Sequence, residues 1–73
     1  MEKNDLCIRL GQNVRLLRQA KAISQEELGI LSGLHRTYIG HVERGERNVS
    51  LKTIVQLARA LEVSPSELLK GVE

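Results

Sequence analysis

Residues 23–45 read ISQEELGILSGLHRTYIGHVERG, and this segment predicts two short helices joined by a tight turn. Ser24 and Glu27 have the spacing of a capping box, which marks the start of a helix. Gly33 predicts the end of that helix, since glycine readily adopts the left-handed conformation found at helix C-termini. The second helix fits residues 35–43.

The short connection between these helices indicates a helix-turn-helix. About three residues around Gly33 join them, a length that sets two helices at a steep angle. In this motif the second helix enters the DNA major groove with its N-terminal end leading. On a helical wheel, Ile39 and Val42 lie on the apolar side of that helix. The opposite side is polar or small and comprises Arg36, Thr37, Gly40, His41 and Arg44.

Two longer helices are predicted on either side of the motif. The first has Asn4 or Asp5 as its N-cap and ends near Ala20. Its apolar residues have helical spacing and are Leu6, Leu10, Val14 and Leu17. The fourth helix begins after the N-cap Ser50 and ends near Leu61. Its predicted core positions are Leu51, Ile54, Val55, Leu57, Ala58 and Leu61.

The remaining helix is short and lies at the C-terminal end. Ser64 is its predicted N-cap and Pro65 its first residue, a position where proline is favoured, and the helix ends near Gly71. Within the motif itself, Leu28 and Leu31 lie three residues apart and are predicted to form the inner face of its first helix.

The composition favours a single all-α domain. The chain has 73 residues, of which 41% are apolar and 27% charged, as in one small soluble domain. Tyr38 is the one aromatic residue, and good helix formers dominate the rest. We therefore predict one compact domain of five helices over residues 1–73, with the helix-turn-helix at about residues 24–43.

The sequence contains no recognisable catalytic or metal-binding constellation. Cys7 is the single cysteine and has no nearby histidine, so we interpret it as a small apolar residue. His35 and His41 lie on different sides of the helical wheel and do not converge on a metal. No glycine-rich phosphate loop is present. We expect no enzymatic activity, no metal and no cofactor.

The charge is distributed unevenly along the chain. The formal net charge is +2, and residues 35–53 carry four bases against two acids, whereas residues 54–73 carry two bases against three acids. A basic middle segment is typical of a face that meets phosphates. The longest run without a charged residue, Leu28 to His35, is too short to span a membrane. The N-terminus lacks the apolar core of a signal peptide, which predicts a cytoplasmic protein.

The chain resembles the Cro/phage-repressor (XRE) helix-turn-helix family over roughly residues 6–70. The main matches are residues 23–28, Leu34, Tyr38-Ile39, Glu43-Arg44-Gly45 and Asn48. Flanking matches are Val14-Arg15, Leu17-Arg18, Leu57-Ala58 and Ala60-Leu61. The subset most similar to the controller proteins of restriction–modification systems is Arg36-Thr37-Tyr38-Ile39, Glu43-Arg44 and Arg47-Asn48.

This resemblance implies a sequence-specific transcriptional regulator that binds a pseudo-palindromic operator in double-stranded DNA as a homodimer. Such a protein acts as a repressor, an activator or both, and an activator has RNA polymerase as a further partner. The implied base-reading residues are Arg36, Thr37, Tyr38, His41 and Arg47. The implied phosphate-contacting residues are Gln25, Arg44, Asn48, Ser50 and Lys52. Arg18 and Glu43 match the positions of a structural ion pair.

The chain departs from the family pattern at two positions. Family members often have Ser, Thr or Asp where this chain has His35, which is a weaker N-cap, so other contacts hold that helix start or His35 itself faces DNA. They often have Pro where it has Val49, which leaves the implied phosphate-binding loop that contains Asn48 less rigid. Glu26 has two interpretations: it is a solvent-exposed residue that favours the helix dipole, or it holds Arg36 through an ion pair.

The C-terminal segment, residues 61–72, has more apolar side chains than so small a core is expected to absorb. The resemblance implies a symmetric dimer interface formed by Val63, Leu68, Leu69 and Val72. The alternative is that Leu61 and Leu68 complete the core of the monomer and the other apolar residues are incidental.

Two other functions remain open from the sequence. One is an antitoxin-like module that sequesters a protein partner, for which the basic face of residues 35–53 would be dispensable. The other is a non-specific DNA coat, whose binding would depend steeply on salt and not on sequence.

Overall fold

The computed structural model describes residues 3–73, which form five helices and contain no strand. The helices are α1 (Lys3–Ala20), α2 (Gln25–Ser32), α3 (Arg36–Glu43), α4 (Leu51–Leu61) and α5 (Pro65–Leu68). The predicted all-α class and the order of the five helices are confirmed.

Every helix contributes to one apolar core. α1 packs against α3 and α5, α2 lies between α3 and α4, and α4 packs against α5. The buried core residues are Leu10, Val14, Leu28, Ile39, Val42, Ile54, Leu57, Ala58, Leu61 and Leu68. Because α3 packs on both α1 and α2 through its apolar side, its polar side is directed to solvent.

The predicted helix starts in the middle of the chain are confirmed. The Ser24 side chain accepts a hydrogen bond from the Glu27 N–H, and the Glu27 carboxylate accepts one from the Ser24 N–H, each over 3.0 Å. The Ser50 hydroxyl accepts a bond from the Thr53 N–H over 3.2 Å. These side chains satisfy backbone donors that have no partner within their helices.

Both outer helices differ at their ends from the sequence prediction. The predicted N-cap at Asn4 or Asp5 was wrong, because α1 already begins at Lys3. α5 ends at Leu68 and continues only as turns, so its predicted extension to Gly71 was wrong.

Two leucines predicted to be buried are exposed. Leu31 is 58% exposed, because α2 packs through Leu28, Gly29 and Ser32 and turns Leu31 away from the core. Leu51 is 74% exposed. It is the first residue of α4, and helical side chains lean toward the N-terminus, so Leu51 projects beyond the neighbouring helices.

Candidate nucleic-acid interface

The turn between α2 and α3 fixes the angle at which α3 leaves the domain. Gly33 has the left-handed φ of 76°, and its N–H bonds to the Gly29 carbonyl. The Leu34 N–H also bonds to that carbonyl, over 2.9 Å. A Cβ at Gly29 would lie 2.5 Å from the Leu34 carbonyl oxygen. α2 and the start of α3 therefore approach too closely for any larger residue at this position.

His35 starts α3 by an uncommon cap. Its Nδ1 accepts a hydrogen bond from the Thr37 N–H over 3.0 Å, so imidazole takes the place of the hydroxyl or carboxylate usual at an N-cap. His35, Arg36 and Thr37 are all exposed. The N-terminal end of α3 thus presents its side chains to solvent, as a helix that enters a groove requires.

Arg36 is held by Glu26 across the turn. The Arg36 Nη1 donates to Glu26 Oε2 over 2.8 Å, and both side chains are more than 60% exposed. The ion pair that the sequence left as one of two interpretations is therefore present. It restricts the direction of the Arg36 side chain while leaving its other guanidinium N–H groups available.

A half-buried polar network lies beneath this face. Arg18 donates from Nε to Glu43 Oε2 over 2.7 Å and from Nη2 to Glu43 Oε1 over 3.1 Å. The hydrogen bonds from Arg18 to Glu43 raise the pKa of the guanidinium above its ordinary value. Gln25 donates from Nε2 to Glu43 Oε1 over 3.0 Å. The amide group of Gln25, assigned to phosphate, thus turns inward to complete this network.

A second polar cluster covers the C-terminal half of α3. Arg44 donates from Nε to Glu46 Oε2 over 3.1 Å, and His41 Nδ1 lies 2.6 Å from Glu46 Oε1. These two hydrogen bonds hold the pKa of the Glu46 carboxyl below its ordinary value, and the bond from His41 has the larger effect. Glu46 was not predicted from the sequence as a member of the site. The available signal was its spacing, five residues after His41 and two after Arg44.

The surroundings of Gly40 differ from the sequence interpretation. The helical wheel places Gly40 on the polar or small side of α3, but the residue is buried. A Cβ there would lie 3.2 Å from Arg44 Nη1 and 3.5 Å from Gln25 Oε1. The space left by the missing side chain is occupied by Arg44 and Gln25.

The remaining predicted DNA contacts follow α3 along the chain. Arg47, Asn48 and Lys52 are exposed, in the loop and at the start of α4. The Ser50 hydroxyl is engaged as the α4 cap and also donates to Thr53 Oγ1 over 3.0 Å. Tyr38 is half-buried and packs against the core. Arg36, Thr37 and His41 lie on the polar side of α3.

The predicted dimer residues differ in their exposure to solvent. Leu68 is completely buried in the monomer core, so its assignment to an exposed interface was wrong and the alternative stated for it holds. Its side chain is covered because α5 packs on both α1 and α4. Leu69 is 38% exposed, and Val63 and Val72 are half-buried.

Residues 3–73 contain no group of three or more His, Cys, Asp or Glu side chains placed to bind a metal ion. None of the five helices combines the length and apolar character needed to cross a bilayer.

A helix-turn-helix family model (HTH_3) matches residues 14–68, which include α2, the turn and α3. The chain belongs to this family. Its members are DNA-binding transcription regulators. The resemblance to XRE-type proteins, derived from the motif residues alone, is confirmed.

The most similar relatives include controller proteins of restriction–modification systems. Control protein C.SmaI from Serratia marcescens is 57% identical over 60 residues, which cover 82% of this chain and 71% of that protein. Control protein C.BamHI from Bacillus amyloliquefaciens is 48% identical over 67 residues, or 90% of this chain and 83% of that protein. The crystal structure of controller protein C.AhdI from Aeromonas hydrophila matches with a TM-score of 0.84 at 58% identity, covering 88% of this chain and 96% of that one.

Proposed function

We propose that this chain is the controller protein of a restriction–modification operon, a cytoplasmic homodimer that binds a specific operator and regulates transcription. The observation that carries the proposal is the exposed N-terminal end of α3, with Arg36 and Thr37 facing solvent, in a chain 57% identical to a control protein over most of its length. A dimer bound near a promoter represses transcription by blocking polymerase. A dimer bound just upstream of the promoter activates transcription by contacting polymerase. This function is regulatory and not catalytic.

Arg36 is proposed as the principal base-reading residue. A guanidinium can bind guanine O6 and N7 with two parallel hydrogen bonds, the commonest specific contact in the major groove. Glu26 engages Nη1 and leaves further donors for such a pair. Thr37, next on the helix, is suited to a thymine methyl group or a phosphate. Tyr38, His41 and Arg47 are proposed as additional base contacts.

The phosphate contacts are proposed to flank α3 on both sides. Asn48 precedes α4, and Lys52 lies in its first turn, where exposed N–H groups also favour an anion. Gln25 acts through its carbonyl or through rearrangement, since its amide group already donates to Glu43. Arg44 and Ser50 complete the proposed set.

Dimerisation is proposed through the face beyond α4, which consists of Val63, Leu69 and Val72. Leu69, Val63 and Val72 retain exposed apolar surface there, and burial of such surface drives association. A two-fold axis at this face places the two copies of α3 on half-sites about 34 Å apart, one turn of DNA.

The experiment that tests this function is selection of bound sequences from random duplex DNA at about 150 mM salt, close to physiological ionic strength. We expect an enriched palindrome whose half-sites lie about ten base pairs apart. Binding without enrichment would indicate a non-specific DNA coat. No binding by well-folded protein would contradict the proposal and favour capture of a protein partner.

A further inference from the structure

Glu46 is an acidic residue in the middle of the basic face, and its carboxylate contacts both Arg44 and His41. Its Oε2 accepts from Arg44 Nε over 3.1 Å, and its Oε1 lies 2.6 Å from His41 Nδ1. A carboxylate can only accept, so His41 Nδ1 carries the hydrogen and donates. Arg44 Nη2 lies 3.2 Å from that same nitrogen, as a neighbour and not as its donor.

The backbone holds Glu46 in position for these contacts. The Glu46 N–H donates to the His41 carbonyl over 3.0 Å, and the Gly45 N–H donates to the Val42 carbonyl over 3.0 Å. Gly45, with a φ of 76°, packs directly on Ile8 of α1. Gly45 is therefore anchored to the domain, and the carboxylate of Glu46 is directed back along α3.

The same arrangement holds Arg44 down on the helix. Its Nη1 lies 3.2 Å from the position of a Cβ at Gly40, so the guanidinium lies over the backbone of α3. Glu46 bonds the Nε edge of this guanidinium. Arg44 is thus in contact with a carboxylate at the place where the proposed function requires a phosphate.

We propose that Glu46 is an internal competitor of DNA phosphate, a positioning residue that holds Arg44 and His41 in the free protein and lowers the affinity of the α3 face for DNA. This inference rests on the proposed function. In the free protein, Glu46 neutralises Arg44, so the guanidinium releases fewer DNA counterions on binding. Phosphate must displace the carboxylate before Arg44 contributes its full charge.

The expected effect follows from counterion release. Each phosphate neutralised changes the slope of log affinity against log salt by about 0.9. Glu46→Gln keeps the shape of the side chain but removes its charge, and so frees Arg44. We expect tighter binding, by about five-fold per protomer at 0.15 M salt, and a slope steeper by about 0.9 per protomer. The gain contributed by Arg44 should be the same on operator and random DNA, because phosphates carry no sequence information.

The matched control is Glu62→Gln, which makes the same change in charge. Glu62 is also exposed and is ion-paired with Lys21, just beyond the C-terminal end of α1. Gly45, beside Glu46, packs instead on Ile8, about 18 Å along α1 from that end. Charges so far apart are largely screened at 0.15 M salt, so this variant should bind DNA as the unmodified protein does.

DNA affinity is measured by fluorescence anisotropy with a labelled duplex at salt concentrations from 50 to 300 mM. The proteins compared are the unmodified chain, Glu46→Gln, Glu62→Gln, Arg44→Gln and the double variant Arg44→Gln/Glu46→Gln. The proposal requires a gain and a steeper slope in Glu46→Gln that disappear in the Arg44→Gln background. Unchanged or weaker binding of Glu46→Gln, while the unmodified chain binds, would overturn the inference alone. Failure of the unmodified chain to bind any duplex would overturn the proposed function and the inference with it.

Discussion

Arg18 and Glu43 form a two-pronged ion pair that joins the C-terminal ends of α1 and α3. The Arg18 Nε lies 2.7 Å from Glu43 Oε2 and its Nη2 lies 3.1 Å from Oε1. Arg18 also donates from Nη1 to the Ile23 carbonyl over 2.9 Å, directly before the N-cap residue of α2. One side chain therefore links α1, the α1–α2 connection and α3.

Removing Arg18 should destabilise the fold. In Arg18→Met, the buried Glu43 keeps Gln25 as its only side-chain donor among residues 3–73, and a buried charge without its partner is costly. We expect the free energy of unfolding in urea to fall by about 3 kcal/mol. The double variant Arg18→Met/Glu43→Leu should lose less, since no charge stays buried. The exposed pair of Lys21 and Glu62 supplies the control, because Lys21→Met should change stability far less.

Replacement of glycine by alanine should affect stability differently at Gly11 of α1 and at Gly40 of α3. A Cβ at Gly11 would overlap the Val42 carbonyl oxygen and lie 2.7 Å from the Glu43 carbonyl oxygen, both backbone atoms of α3. Overpacking of this kind costs about 1–3 kcal/mol, more than the helix-propensity gain of up to about 1 kcal/mol. At Gly40 the nearest atoms are flexible side-chain ends. Gly40→Ala should therefore keep or raise the urea midpoint, and Gly11→Ala should lower it.

The two serine caps should differ in their contribution to stability. Ser24 makes both bonds of its capping box, so Ser24→Ala should lower the free energy of unfolding by about 1 kcal/mol. Ser64 occupies the N-cap of α5 but makes no capping bond with its side chain. Ser64→Ala should therefore have a smaller effect in the same thermal or urea titration. Equal losses would show that the bonds seen at Ser24 are not what stabilises α2.

Arg36→Ala should reduce discrimination between the selected operator and the same operator mutated at one guanine. The loss is expected to be about 1–3 kcal/mol in a competition binding assay, the worth of a bidentate arginine–guanine pair. Arg15→Ala removes the same charge from the exposed surface of α1 and should leave discrimination intact. If both variants discriminate equally, Arg36 is not the base-reading residue.

Leu69→Glu should dissociate the proposed homodimer. It places a charge on the apolar surface beyond α4, and burying an unpaired charge is unfavourable. Sedimentation equilibrium should then show a monomer with unchanged helical circular dichroism. Ile30 is 75% exposed on α2, so Ile30→Glu makes the same change away from the proposed interface and should remain dimeric. A dimer in Leu69→Glu would exclude this face.

Local signals in the sequence were sufficient for most of the fold. Ser24, Gly33 and Ser50 mark helix boundaries through bonds to residues at most four positions away, and the structure has these boundaries as predicted. The burial of Leu31 and Leu51 was predicted wrongly, because apolar spacing identifies a face but not where the neighbouring helices end. Leu68 was misassigned for a similar reason.

The sequence by itself determined the five helices and the helix-turn-helix, since caps, turns and apolar periodicity act over a few neighbouring residues. Its motif residues carried the resemblance to the family. Only the tertiary structure decided the partners of the polar side chains. Gln25 bonds Glu43 across eighteen positions of the chain, and Arg44 takes the space at Gly40. Such contacts depend on the packing of α3 against α1 and α2, because this packing decides which donors and acceptors lie within hydrogen-bonding distance and which of them remain exposed to solvent.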